Sequence, residues 1–172
     1  MVEVQDWTVL PWDGSAQDYA AVAAGQVTPP EVAQWQAQAQ RVTFAHAGGV
    51  LTAHHWSAAP ATGHLHKAPV VVLHGGSGSW THWLRMLGPL TQAGHAVWAL
   101  DLPGFGASDP LPHQQDADDM LPLLAASLQH WLPGQALQIM GFSLGGMTAA
   151  LLAAAYPALV RQLVLVGPPG LG

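Results

Sequence analysis

The sequence predicts an α/β fold, a mostly parallel sheet with helices on both faces, and two observations predict it. First, four short runs are apolar almost throughout, as strands covered on both faces are. They are residues 69–74, 95–101, 136–141 and 161–167. Second, helical patterns separate these runs, at about 80–93, 116–132 and 144–156. Strand and helix therefore alternate, which is typical of parallel strands joined by right-handed crossovers.

The residues before the first apolar run have a different character. Residues 1–40 are rich in Ala and Gln, and we interpret them as an N-terminal helical extension preceding a core domain at 41–172. One helix is expected at about 15–24. A second is expected at about 29–40, because Thr28 followed by Pro29 and Glu31 fits a helix N-terminus.

An antiparallel hairpin is expected at the start of the core domain. Residues 41–46 and 50–56 are strand-like runs, and Gly48 and Gly49 lie between them. Glycine supplies the positive φ that a tight hairpin turn needs. The sequence therefore predicts an antiparallel lead-in to the parallel strands.

Composition excludes several classes of function. Half of the 172 residues are apolar and 8% are charged, against about a quarter in a typical soluble domain. The four Lys and Arg residues and the net charge of −6 leave no basic surface for nucleic acid or anionic lipid. No run reaches the roughly 18 apolar residues of a membrane span. Glu3 and Asp6 stand where a signal peptide would be basic, so a cytoplasmic location is expected.

One motif at a strand-to-helix corner predicts a nucleophile. Gly141 to Gly145 reads GFSLG, which matches G-x-S-x-G. In this motif a strained turn raises the serine oxygen, here that of Ser143, out of the sheet, and Gly141 and Gly145 let strand and helix approach. The amide of Leu144, at the start of the helix, is placed to stabilise an oxyanion. The alternative is a plain Gly-Ser turn.

The loop after the first parallel strand, HGGSGSW at 74–80, has two interpretations. The amide of Gly76 would complete an oxyanion hole with that of Leu144. A dinucleotide loop, G-x-G-x-x-G, would need glycine at residue 81, which is threonine, although Asp101 imitates the ribose-binding acid. For Asp101 we favour a structural role, in which it accepts hydrogen bonds from loop amides.

Four motifs together resemble a known family. HGGSGSW, DLPGFGASDP, GFSLGG and YPALVRQLVLVGPPG occur in that order, and residues 41–172 resemble the serine branch of the α/β-hydrolase superfamily. Within it, the sequence looks like esterases, proline iminopeptidase-like enzymes and C–C bond hydrolases. The resemblance implies a small-molecule ester, amide or activated C–C bond as substrate, and no cofactor. It implies that Ser143 is the nucleophile, that Gly76 and Leu144 form the oxyanion hole, and that His74 and Asp101 shape their loops.

The catalytic acid and base of that family are missing after the motif. They follow the serine in the order acid, then histidine, whereas residues 144–172 contain no Asp, Glu or His. We therefore expect a truncated hydrolase of low activity, without the C-terminal strands, lid and closing helix. The alternative is a non-catalytic binding module on the same fold.

Two further expectations concern metals and the last strand. The ten histidines are scattered, and His64-x-His66 has no third ligand nearby in sequence, so no metal site is predicted. Residues 163–166 form an apolar strand, which we expect to leave an uncovered edge. Self-association or binding of a complementing segment is expected there.

Overall fold

A computed structural model describes residues 28–59 and 67–170. Helix α1, Pro30–Gln38, belongs to a unit separate from the one that begins at Ala39. It is slightly shorter than the predicted 29–40, and Glu31 lies in its first turn. The helix predicted at 15–24 and the pair His64 and His66 lie outside the described residues.

A six-stranded sheet forms the framework of the second unit in the described residues. Its strands are β1 (Gln40–His46), β2 (Gly49–Trp56), β3 (Val70–Leu73), β4 (Val97–Asp101), β5 (Leu137–Phe142) and β6 (Val160–Val166). Their order across the sheet is β1-β2-β4-β3-β5-β6. The hairpin β1–β2 and the pair β2–β4 are antiparallel, and the remaining pairs are parallel. The predicted mostly parallel sheet and its antiparallel lead-in are confirmed.

Three helices connect the parallel strands, as predicted. They are α2 (Leu84–Gln92), α3 (Leu121–Trp131) and α4 (Leu144–Ala155). Short 3₁₀ turns, Trp80–Trp83 and Asp118–Met120, replace the predicted first turns of α2 and α3. Ser79 accounts for the first of these, because its hydroxyl accepts the N–H of Thr81 at 3.3 Å and tightens the turn.

The core lies where the sheet meets α3 and α4. Every residue of β3 and of β4 is buried, in keeping with strands covered on both faces. The side chains packed between the sheet and these helices include Leu73, Leu100, Leu124, Leu128, Ile139 and Leu152, all fully buried. This packing holds the carboxyl ends of β3, β4 and β5 in fixed positions, and the loops that carry the motifs begin there.

Candidate active site

Ser143 lies at the sharp corner between β5 and α4. Its φ of 51° and ψ of −117° are unfavourable for a residue with a side chain, at a cost of about 1–3 kcal/mol. Two backbone hydrogen bonds maintain the corner. The N–H of Ser143 donates to the backbone carbonyl of Val166 at 2.9 Å, and the N–H of Met147 donates to the backbone carbonyl of Ser143 at 3.0 Å. The side chain is half-buried. The surrounding structure therefore fixes this serine in a strained conformation.

The glycines on either side of Ser143 are required by close packing. A Cβ on Gly141 would lie 2.3 Å from the carbonyl oxygen of Gly145. A Cβ on Gly145 would lie 2.2 Å from the carbonyl oxygen of Leu73, at the end of β3. No side chain fits at either position, so the small residues allow α4 to pack directly against β5 and β3.

The loop after β3 lies against the serine corner. A Cβ built on Gly75 would be 3.3 Å from the Cβ of Ser143 and 2.9 Å from the ring of Phe142. Gly76 follows; it is exposed, and the space where its Cβ would lie is open. The structure thus brings Ser143 close to Gly75, the residue before Gly76, while Leu144 starts α4 next to the serine.

His74 controls the direction of one peptide group in this loop. Its Nε2 accepts the N–H of Leu102 at 2.9 Å, so the ring proton is on Nδ1, which donates to the carbonyl of Gly75 at 2.7 Å. Burial lowers the pKa of His74 and favours this neutral form. The Gly75 carbonyl and the Gly76 N–H belong to one trans peptide, so this N–H points away from His74.

Asp101, at the end of β4, joins two loops. Its Oδ1 accepts the N–H of Trp80 at 2.7 Å, and its Oδ2 accepts the N–H of Ala107 at 2.9 Å. Burial raises the pKa of this carboxyl group, but hydrogen bonds from His54 and these two amides outweigh burial and hold the pKa below its usual value. No side chain fits at residue 106, because a Cβ on Gly106 would overlap the Asp101 carboxylate. The ionised Asp101 therefore ties the loop after β3 to the loop after β4.

His54 contacts Asp101, although sequence reasoning assigned no role to it. Nε2 of His54 lies 3.3 Å from Oδ2 of Asp101 and donates to it. The ring is 5% exposed and lies against the rings of Trp56 and Trp80. The contact depends on the pairing of β2 with β4. The pattern of residues within one strand does not specify which strand lies beside it, so this contact could not be predicted from sequence.

The geometry of the loop after β3 does not fit a dinucleotide. A pyrophosphate would bind amides at a helix N-terminus, but the Trp80 N–H, at the start of the 3₁₀ turn, is bonded to the Asp101 carboxylate. The same carboxylate faces loop amides rather than a ribose hydroxyl. Within residues 28–59 and 67–170, no three His, Asp or Glu side chains are grouped to hold a metal ion. None of the helices in these ranges is both long and apolar enough to span a bilayer.

Comparison with known proteins agrees with this arrangement. A family model described as the alpha/beta hydrolase fold matches residues 68–171. The chain is 34% identical over 106 residues to a 2-hydroxy-6-oxo-6-phenylhexa-2,4-dienoate hydrolase of Comamonas testosteroni, covering 60% of this chain and 37% of that protein. It is 33% identical over 106 residues to a 2-hydroxy-6-oxononadienedioate/2-hydroxy-6-oxononatrienedioate hydrolase of the same species, with the same shares covered.

Among solved structures, the thioesterase domain from the curacin biosynthetic pathway superimposes with a TM-score of 0.64 and 27% identity, covering 76% of this chain and 44% of that one. The chain thus spans little more than a third of the length of the curated relatives. The loop after β3 and the strained corner after β5 both lie within the matched region, whereas β1 and β2 precede it. On this evidence the chain belongs to the α/β-hydrolase family.

Proposed function

We propose that Ser143 is the nucleophile of a hydrolase acting on a small molecule that contains an ester, an amide or an activated C–C bond. The observation that carries the proposal is the conformation of Ser143, a non-glycine residue with a φ of 51°, next to Gly75 in the loop after β3. Strained backbone that its surroundings maintain is concentrated at functional sites. A corner that needed only to turn the chain would favour glycine at this position.

In the proposed reaction, the Ser143 oxygen attacks a carbonyl carbon. The oxygen that becomes negative accepts hydrogen bonds from the N–H groups of Gly76 and Leu144. The Leu144 N–H lies in the first turn of α4, where amides have no partner within the helix. When the tetrahedral species collapses, the bond to the alcohol, amine or carbon leaving group breaks and that group is protonated, which leaves an acyl-serine that water then hydrolyses to the acid and free Ser143. Amides already fixed in position cost little reorganisation when charge develops.

Residues 144–172 do not supply the base that deprotonates Ser143, because they contain no His, Asp or Glu. The two buried histidines near the loops have other partners: His74 bonds Gly75 and Leu102, and His54 bonds Asp101. Loss of triad members lowers turnover by about 10⁴ to 10⁶. These 172 residues alone are therefore expected to be a poor catalyst.

The substrate class is narrowed by the named relatives. Both curated proteins from Comamonas testosteroni are hydrolases of 2-hydroxy-6-oxo compounds, whose oxo group is a carbonyl that a serine can attack. Among the three bond types that the sequence allows, these relatives favour an activated C–C bond next to a ketone. An acyl-serine would then form as the carbon leaving group is protonated.

A fluorophosphonate probe tests the nucleophile. The oxyanion hole and binding alone retain about 10³ to 10⁴ of rate over water when the triad is broken, so slow labelling of Ser143 is expected, and Ser143→Ala should abolish it. Ser77→Ala, an exposed serine in the neighbouring loop, is the matched control and should label normally. Peptide mass spectrometry locates the adduct.

Three results would contradict the proposal. An adduct on another residue, or equal labelling of the Ser143→Ala variant, would show that Ser143 is not the reactive group. A folded chain that is never labelled, even with the C-terminal half of a relative added, would favour the non-catalytic binding module.

A further inference from the structure

A second histidine holds the same glycine as His74. His82 lies in the 3₁₀ turn Trp80–Trp83, and its Nδ1 accepts the N–H of Gly75 at 3.2 Å. His74 Nδ1 donates to the carbonyl of Gly75 at 2.7 Å. The His82 ring therefore binds the peptide group before Gly75, and the His74 ring binds the peptide group after it. Glycine is the residue whose φ and ψ are least restricted, and here both of its peptide planes are fixed from outside.

The loop is also folded around the His82 ring. A Cβ on Gly78 would lie 2.2 Å from Cε1 of His82, so the absence of a side chain at Gly78 leaves room for the ring in this position. The ring packs edge-on against His74 at 6.0 Å and against Phe142, the residue before Ser143, at 5.7 Å between centroids. His82 thus contacts the loop on one side and the strand that carries the serine on the other.

We propose that His82 is a positioning residue that fixes the Gly75 peptide through its Nδ1 acceptor and so aims the Gly76 N–H at the oxygen bound next to Ser143. The catalytic part of this inference rests on the proposed function; the structural part does not. The imidazole must be neutral, with its proton on Nε2, because a protonated Nδ1 cannot accept a hydrogen bond.

Two substitutions separate the acceptor from the ring. In His82→Asn the side-chain oxygen takes the place of Nδ1 but the ring is lost. In His82→Phe the ring is kept for packing against Phe142 and Gly78 but the acceptor is lost. Arg85→Ala, an exposed residue about one turn further on, is the control. If the Nδ1 acceptor is what fixes the Gly75 peptide, His82→Asn should behave like the wild type and His82→Phe should not.

Hydrogen exchange of the Gly75 amide, followed by NMR, gives a readout that is independent of the reaction. We expect slow exchange in the wild type, in His82→Asn and in Arg85→Ala, and exchange faster by about tenfold or more in His82→Phe. The initial rate of fluorophosphonate labelling at Ser143 should fall by about tenfold in His82→Phe and stay within about twofold in His82→Asn. Circular dichroism melting establishes that each variant is folded.

One measurement needs no variant. The ¹⁵N shifts of the His82 ring in the wild type report its tautomer, and an unprotonated Nδ1 is expected. A proton on Nδ1 at neutral pH, unchanged Gly75 exchange in a folded His82→Phe, or equal effects of Asn and Phe would each overturn the proposal. Exchange that changes as expected, without labelling of Ser143 in any variant, would support the positioning by His82 and contradict the proposed function instead.

Discussion

At the scale of single residues, the site depends on buried polar side chains whose hydrogen bonds all go to backbone or to each other. Asp101 is the clearest example, because one carboxylate, 1% exposed, accepts hydrogen bonds from two loop amides and from His54. Charged acceptors form stronger hydrogen bonds than neutral ones, and a buried donor that loses its acceptor is costly. The rigidity of both loops should therefore depend on this one group.

Asp101→Asn should lower the free energy of unfolding by about 2 kcal/mol in urea denaturation, because an amide NH₂ would face an N–H donor. Because the native pKa of Asp101 lies below the unfolded value, its contribution is present above about pH 4 and is lost as pH falls through the native pKa. Acid destabilisation should therefore be weaker in the variant. Asp118→Asn, at an exposed carboxylate, is the control; equal losses at both positions would contradict the role given to Asp101.

The residues predicted from sequence are those whose constraints are local. Ser143 is flanked by Gly141 and Gly145, and the strand before it and the helix after it are visible in the same stretch of sequence. His54 and His82 were missed for a different reason. The partner of His54 is Asp101, in a strand distant in sequence, and His82 reaches Gly75 only because the intervening loop closes on its ring.

At the scale of elements, the antiparallel hairpin does more than begin the sheet, since β2 also secures the loop after β4. The hydroxyl of Ser108 accepts the N–H of Thr52, in β2, at 2.8 Å and donates to the backbone carbonyl of Asp101. The hydroxyl of Thr52 in turn donates to the carbonyl of Ala107 at 2.8 Å. Strand and loop are therefore joined by side chains as well as by the sheet.

Replacing Ser108 tests this link. Ser108→Ala should reduce the free energy of unfolding by about 1–3 kcal/mol, because the Thr52 N–H is fully buried and would lose its acceptor. Thermal or urea denaturation measures the loss. The exposed Ser77→Ala should be nearly neutral, and a similarly small effect at Ser108 would mean that the link contributes little.

The strands and helices were predictable to within a few residues, but the strand partners were not. The run at 95–101 predicted a strand that the structure places at Val97–Asp101. Apolar periodicity identifies an element and its buried face, whereas it carries no information on which strand lies alongside. The pairing of β2 with β4 rather than with β3 could therefore not be predicted from the apolar pattern.

At the scale of the whole molecule, β6 is an edge strand within the described residues, because it pairs with β5 alone. Val164 and Val166 on this strand are 40% and 44% exposed. Exposed apolar edge strands are templates for pairing with other chains. We therefore propose that the chain associates with itself through β6.

Val164→Lys should reduce that association, because charged side chains on an edge strand oppose pairing. Sedimentation velocity over a range of concentrations should show fewer dimers and larger species than in the wild type. Ala154→Lys, on the exposed side of α4, adds the same charge elsewhere. Equal sedimentation of both variants would indicate net charge, and not the β6 edge, as the cause.

The central place of β3 has a consequence for how the sheet assembles. β3 pairs with β4, the next strand along the chain, and with β5, which follows the whole of α3. Contacts between distant segments form late, since a long loop must close first. Until β5 has been synthesised, we expect the edge of β3 that pairs with β5 to stay unpaired, which leaves the aliphatic segment Val70–Leu73 exposed in the nascent chain. The yield of native protein should therefore depend on the rate of synthesis and on chaperones that shield this segment, rather than on final stability alone.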